Sequence, residues 1–303
     1  MSAFLLPLIG LKMQEWTNFW QSHDTATSFA CDYSVNDGPY GVVNQHWLNA
    51  LKYINKDDVV VDLGAGNGAL VKLYLDEYKE LGCKRWLSTD IAKVNPAIKH
   101  DFVDFIEINA NDMAFHDKSV NLFISMFGIE YADLAKVFDE IDRCLAVNGR
   151  YHFVLHKLDS MISSQTVLTL SVLKRFLQSS FWQSPVALLT KPSDEVKKIL
   201  LQQLRIIYDE VDKDEKEDVQ IIGHAVFHLC QSETSSAQLV KGLGILMSNL
   251  AAQEKRLKAQ FASAKQTEKL LQLLEKSPLS CYKIDVLKHY NATIGWIVHN
   301  THY

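Results

Sequence analysis

Asp62 stands where three β-branched residues, Val59-Val60-Val61, run into a loop with glycine at alternate positions, Gly64-Ala65-Gly66-Asn67-Gly68. Glycine permits left-handed backbone and lets a ligand lie directly on the main chain. Gly64, Gly66 and Ala69 also satisfy the dinucleotide fingerprint G-x-G-x-x-G/A loosely. The acid separates the ligand classes. A carboxylate at this strand end repels a pyrophosphate and suits a cationic α-amino group, such as that of a methionine moiety. The plainer reading is a polar strand end followed by a turn. A second acid, Asp90, closes the run Arg85-Trp86-Leu87-Ser88-Thr89 and has the position to accept both hydroxyl protons of a ribose, or to cap a helix. Asn109 and Asn111 follow a third apolar run and have the chemistry to bond an adenine edge. Glu130, Tyr131, His116 and His156 are the candidates for removing a proton from a reacting group, although each has a structural role open to it.

These residues need strands that end together. Residues 59–63, 85–91, 105–108, 120–128 and 151–155 read as five short buried strands. Between the first pair, Leu70, Leu73, Tyr74 and Leu75 recur at helical spacing. The gap from the glycines to Asp90 exceeds the usual twenty or so residues, which predicts a helix lengthened by about two turns. Val137, Phe138, Ile141 and Cys144 mark a helix before the fifth strand, and Val147-Asn148-Gly149-Arg150 marks a turn into it. Alternating strands and helices predict a parallel sheet with right-handed crossovers.

Ahead of this core, residues 12–57 read as helical. Trp16, Phe19 and Trp20 share one face, Asp37-Gly38-Pro39-Tyr40-Gly41 reads as a turn, and Val43, Trp47, Leu48, Leu51 and Ile54 mark another helix. Beyond it, residues 161–277 contain no convincing strand. Leu168 to Leu177 marks one helix, and Val196 to Ile207 a second, ending in the charged run Asp212–Asp218. Ile221 to Leu229 is apolar. A long helix then carries Leu239, Leu243, Leu246, Leu250, Leu257 and Phe261 near heptad spacing, its start weakened by Gly242 and Gly244. Gln253 and Gln260 in that seam favour packing within the chain over a coiled-coil homodimer. Residues 279–288 and 293–299 read as two closing strands. The expected organisation is a helical cap over 1–57, a ligand-binding core over 58–160, a helical insertion over 161–278 acting as a lid or oligomerisation element, and closing strands over 279–303.

The 303 residues carry 48% hydrophobic and 22% charged side chains with a net charge of -5, ordinary for a soluble globular chain and unfavourable for a nucleic-acid partner. Cys31, Cys83, Cys144, Cys230 and Cys281 are scattered and odd in number, which fits a reduced, cytoplasmic setting better than a disulfide framework or a zinc site. The apolar opening Met1–Gly10 lacks the basic residues of a signal peptide, and no run is long enough for a membrane span. His224 and His228 share a helical face without the glutamate or third ligand of a zinc protease, and no G-x-S-x-G elbow is present.

Taken together, the motifs resemble the class I S-adenosylmethionine (SAM)-dependent methyltransferases. Val59 to Leu70 is similar to the family's strand and D-x-G-x-G-x-G loop, and Thr89-Asp90-Ile91 to its ribose-binding acid. Asn109-Ala110 through Val120 is similar to its D-A-x-x-L-P-F-x-D-x-S-F-D segment, with Asn109 for the acid, Ala114 for the proline and Asn121 for the second acid. Arg143-Cys144-Leu145 with Asn148-Gly149-Arg150 is similar to its R-x-L-x-x-G-G turn. The resemblance covers residues 40–157 and the closing strands. It implies a Rossmann-like α/β fold with a mostly parallel seven-stranded sheet, interrupted by the helical insertion after the fifth strand. It further implies that Asp62, Gly64, Ala65, Gly66 and Gly68 hold the methionine part, with Tyr40 closing over its carboxylate. Asp90 would take the ribose, Ile91 pack on adenine, Asn109 and Ala110 stand beside it, and Ser125 and Met126 flank the sulfonium. The N/D-P-P-Y/F signature of enzymes methylating bases or glutamine is missing, so a small-molecule acceptor is expected. The alternatives are a protein or nucleic-acid acceptor docking through the insertion, a catalytically silent SAM-binding protein, and a nicotinamide-dependent oxidoreductase, which Asp62 disfavours.

Overall fold

The computed structural model describes residues 6–22, 38–96, 98–178, 185–231, 235–274 and 282–300. Its chain divides into two compact units, one of Met1–Ser163 with Ala259–Tyr303, the other of Ser164–Lys258. The first unit is built on a seven-stranded sheet in the order β3-β2-β1-β4-β5-β7-β6. Its strands are β1 (Val59–Leu63), β2 (Arg85–Asp90), β3 (Val103–Glu107), β4 (Val120–Met126), β5 (Leu145–His156), β6 (Lys283–His289) and β7 (Ala292–His299). The first five pair in parallel, while β7 runs antiparallel to β5 and to β6. This is the Rossmann-like sheet the sequence predicts. Chain order reverses at β1, between β2 and β4, and in open α/β sheets ligands bind beyond the strand ends at such a point.

Both faces of the sheet are covered. On one, β-branched and aromatic residues of the central strands (Val61, Phe123, Phe153) meet Val137, Ile141 and Cys144 of α4 (Leu134–Cys144) and Leu270. On the other, Val60, Trp86 and Ile124 meet Trp47 and Leu51 of α2 (Pro39–Leu51) and Leu70 and Tyr74 of α3 (Ala69–Tyr78). α1 (Leu6–Ser22) contributes its aromatic face, Phe19 and Trp20, to a separate cluster with Ala92.

Several expectations need correction. Pro39 starts α2, so Tyr40 and Gly41 are helical and not part of a turn; proline's fixed φ suits the first position of a helix. The long gap before Asp90 is not extra helix: α3 stops at Lys79, whose left-handed backbone (φ 63°) sends its N–H to the Leu75 carbonyl, and a loop completes the distance. Strand and helix do not alternate throughout. No helix is present among the described residues between β2 and β3 or between β3 and β4. In the latter link, Arg143 takes over the ordering: its guanidinium donates to the Met113 and Phe115 carbonyls at 2.8 Å and to Asp117 at 2.7 Å, while Glu140 accepts the Met113 N–H. The turn at residues 147–150 lies inside β5, with Leu145 paired to Val120 and Arg150 to Leu122.

The second unit is helical. It holds the greater part of α5 (Met161–Gln178), then α6 (Pro185–Leu189), α7 (Ser193–Glu210), α8 (Lys216–Gln231) and the first part of α9 (Ser236–Leu274). Val172, Phe176, Val196, Leu200, Val226, Leu239 and Leu243 form its core. The charged run Asp212–Asp218 does not end a helix: Asp212 and Glu215 form a capping box that leads into α8. Gly242 lets Leu229 of α8 pack close against α9, where a larger residue would clash. His224 and His228 are exposed on α8. Cys83, Cys144 and Cys230 are buried free thiols; Cys31 and Cys281, Asp37, the opening residues Met1–Leu5 and residues 279–281 of the first closing strand lie outside the described residues. No helix among the described residues is long and apolar enough to cross a membrane.

A partly buried histidine pair fastens α2 to the sheet. His46 Nε2 lies 2.8 Å from His152 Nε2, one ring donating and the other accepting, and His152 faces His299 at 5.5 Å between ring centroids. Burial first, then the neighbouring His299, pushes the His46 pKa down to about 4, with exposed Asp285 pulling weakly the other way. A histidine lowered in the fold supports stability above its unfolded pKa and withdraws it as pH falls through the folded one. The protein is therefore expected to lose about 3 kcal/mol through His46 as pH drops from roughly 6.5 to 4. Urea midpoints for the wild type and His46→Gln should show a flatter acid limb in the variant; identical limbs would disprove it.

Candidate active site

The ends of β1, β2 and β4 converge on the glycine loop. Thr89 Oγ1 donates to the Asp62 carbonyl at 3.0 Å and the Ala65 N–H to the Thr89 carbonyl at 2.9 Å, so β1 and β2 are tied where they stop. Ser125 Oγ, at the end of β4, donates to the Leu63 carbonyl at 2.7 Å and accepts the Ile129 N–H at 3.1 Å. Gly64 and Gly128 meet back to back: a Cβ on Gly64, itself at φ 70°, would lie 2.8 Å from Gly128 Cα. Gly68, left-handed at φ 92°, starts α3.

Asp62 is 1% exposed, and its Oδ2 has no hydrogen-bond partner among the described residues. Burial raises its pKa well above the ordinary carboxylate value, and the nearby Asp90 raises it further. A fold does not gain by leaving a buried acceptor unpaired, and this oxygen is free to take a donor from a bound molecule. Asp90 accepts the Gly66 N–H at 2.9 Å and the Ala92 N–H at 2.8 Å. It therefore holds the loop in shape and caps no helix. Burial raises its pKa against the pull of those amides. Its carboxylate retains acceptor capacity beyond two bonds.

The glycine faces correct one expectation. Gly64 is bare because Gly128 needs the space, and the side of Gly66 where a Cβ would point is taken by the Trp20 indole, 2.4 Å from that Cβ position. The Cβ side of each of these glycines is filled by the protein itself. Asn67 ties the same helix down, donating to the Trp20 carbonyl at 3.0 Å and accepting the Asn95 N–H at 2.8 Å.

The other expected residues are distributed as follows. Tyr40 lies half-buried in the first turn of α2, Ala65 is buried in the loop, and Ile91 is half-buried just past β2. Asn109 is exposed after β3, its side chain accepting the Asn111 N–H at 3.0 Å, while Asn111 accepts the Asp133 N–H at 3.0 Å; Ala110 packs against the core between them. Ser125 and Met126 are the last two residues of β4 and do not lie past it, and the Ser125 hydroxyl is spent on the backbone staple above. His116 is exposed before β4, near the end where that strand begins, and so stands away from the site. Glu130, Tyr131 and His156 come together at the far ends of β4 and β5: the His156 N–H donates to Glu130 Oε1 at 2.9 Å, and Tyr131 Oη lies 3.4 Å from His156 Nε2. Sequence reasoning missed Gly128 and Trp20, which shape the loop.

Residues 61–153 match a family model described as a methyltransferase domain. The match runs from β1 into β5 and supports a class I SAM-dependent methyltransferase domain over that part of the chain. Among solved structures, the chain is similar to a chain of the Haloferax volcanii complex containing the Trm112 methyltransferase activator (26% identity, TM-score 0.33, covering 39% of this chain and 56% of that one). It is also similar to a SAM-dependent methyltransferase from Mesorhizobium loti (20%, TM-score 0.35, 41% and 58%). A third is the geranyl diphosphate C-methyltransferase of Streptomyces coelicolor (18%, TM-score 0.36, 51% and 70%). The chain spans 56% and 58% of the length of the first two. No curated protein matches it in sequence.

Proposed function

We propose that this chain transfers a methyl group from SAM to a small molecule. The observation that carries the reading is the unpartnered Asp62 Oδ2, buried at the carboxyl end of β1 where the sheet reverses order. A cationic α-amino group would supply the missing donor and the missing charge together. The Gly64–Gly68 loop would hold the rest of the methionine part, with Tyr40 toward its carboxylate. Asp90 would accept from the ribose with the lone pairs its two amides leave. Ile91, Asn109 and Ala110 would border the adenine, and Met126 the sulfonium, beside the backbone that Ser125 staples. The bound sulfonium supplies an electrophilic methyl carbon. The protein's task is then alignment and exclusion of water, worth on the order of 7–11 kcal/mol when geometry is held well.

The Trp20 ring on Gly66 favours a second reading, a SAM-binding protein that does not catalyse. One experiment separates them. Incubated with methyl-labelled SAM and a deproteinised metabolite extract, the protein should place label in a small molecule. Label in protein or nucleic acid added in parallel would support a macromolecular acceptor instead. SAM bound with no label transferred to anything would support the silent reading.

A further inference from the structure

Glu130 is the buried carboxylate that the reading above leaves without a task. It lies two residues past Gly128, in the short turn Ile129–Tyr131 that follows β4. It is fully buried; Oε1 accepts the His156 N–H, and Oε2 has no partner among the described residues. Apolar and aromatic surfaces stand beside it. His156 stacks on Phe127 with centroids 4.5 Å apart, and Trp16 of α1 meets Tyr131 edge-on at 5.6 Å. Gly128 against Gly64 sets this turn next to the glycine loop, at the strand ends where the methyl-transfer reading would put the donor.

We propose that Glu130 Oε2 receives the acceptor's proton during methyl transfer, so that the acceptor is a protic nucleophile, a hydroxyl or an amine on an apolar body. The proposal rests on the methyl-transfer reading. In the step, the nucleophile's lone pair forms the bond to the methyl carbon, and the electrons of the broken S–C bond stay on sulfur, which becomes a neutral thioether. The O–H or N–H bond breaks with its electrons kept on oxygen or nitrogen, and the proton passes to Oε2. Cation, carboxylate and neutral nucleophile become three neutral species.

The electrostatics suit a base. Burial pushes the Glu130 pKa up to about 7, against the pull of the His156 N–H and of its own N–H. A base with that affinity is matched to neutral pH. The two titratable side chains that stand against it are shifted away from neutral pH. Burial pushes His156 of β5 down to about 3 and raises the Tyr131 phenol, which also bonds Ser263 of α9. Trp16 of α1 carries no charge, and the raised Asp62 and Asp90 belong to the donor side.

The test uses the full chain saturated with S-adenosylhomocysteine, titrated calorimetrically with phenol and benzyl alcohol and with their methyl ethers. Both alcohols should bind the wild type about tenfold more tightly at about pH 8 than at about pH 6, following the ionised fraction of the carboxyl. The ethers should bind weakly at both. Glu130→Gln keeps an oxygen for the His156 N–H and should show no such rise, while binding S-adenosylhomocysteine within about twofold of the wild type. A flat wild-type response, a slope retained in the variant, or no binding of either alcohol would overturn the role of Glu130. Failure of the wild type to bind S-adenosylhomocysteine would instead overturn the methyl-transfer reading on which it rests.

Discussion

Asp62→Asn is expected to raise the melting temperature of the ligand-free protein and to remove the thermal shift that SAM gives the wild type. The two effects have one cause. The Asp62 carboxylate is buried with an oxygen that nothing in the described structure satisfies, a cost of about 1–3 kcal/mol. Its pKa is raised by burial and by Asp90. A carboxyl raised in the fold supports stability below its unfolded pKa of 3.8 and loses that support as pH rises through the folded value. The variant should therefore gain most at neutral pH and above, and the gain should vanish in acid. The same substitution removes the charge that meets the amino group. Breaking one side of a buried charge pair costs about 2–5 kcal/mol, so SAM affinity should fall by roughly two orders of magnitude or more. Differential scanning fluorimetry with and without SAM reads both. A variant that is less stable without ligand, or that keeps the wild-type shift, contradicts this account of Asp62.

The second large effect is expected at Gly64. Alanine there forces a Cβ to 2.8 Å from Gly128 Cα and 3.2 Å from its carbonyl carbon, and both atoms are backbone, so nothing can swing aside. The left-handed φ of 70° adds about 1–2 kcal/mol and overpacking about 1–3. Gly64→Ala should thus lose about 2–5 kcal/mol by urea denaturation. Gly244 is the control, since it lies exposed within α9 with nothing within 4 Å of its Cβ position. Gly244→Ala should gain up to about 1 kcal/mol from helix propensity alone. Similar losses at both sites would mean that the Gly64–Gly128 contact does not set the shape of the loop.

The parts of the fold that sequence reveals are those written in consecutive residues. Val59–Leu63 shows as a strand because its β-branched run has no other comfortable home, and the end of that strand is visible in the glycines. The amphipathic stripe of α4 and the helices of the second unit show through the same local periodicity. What stays hidden is contact across long separations. Gly128 looks like an ordinary strand-end glycine until it meets Gly64, and His46, His152 and His299 are brought together only by the pairing of β5 with β7 beneath α2. Trp16, Phe19 and Trp20 are legible as one helical face, but nothing in their spacing says that Trp20 rests on Gly66. The sequence offers Ser125 as a residue to flank the sulfonium, but nothing in it says that the hydroxyl is claimed by the Leu63 carbonyl. Arg143 fits a family motif without showing that it replaces a helix between β3 and β4.

Titration calorimetry of the wild-type protein with SAM and with NAD bears most directly on whether the Asp62 crevice is a methyl-donor site. One SAM bound per chain, with no heat from NAD, is the predicted result. NAD binding while SAM gives no signal would contradict it.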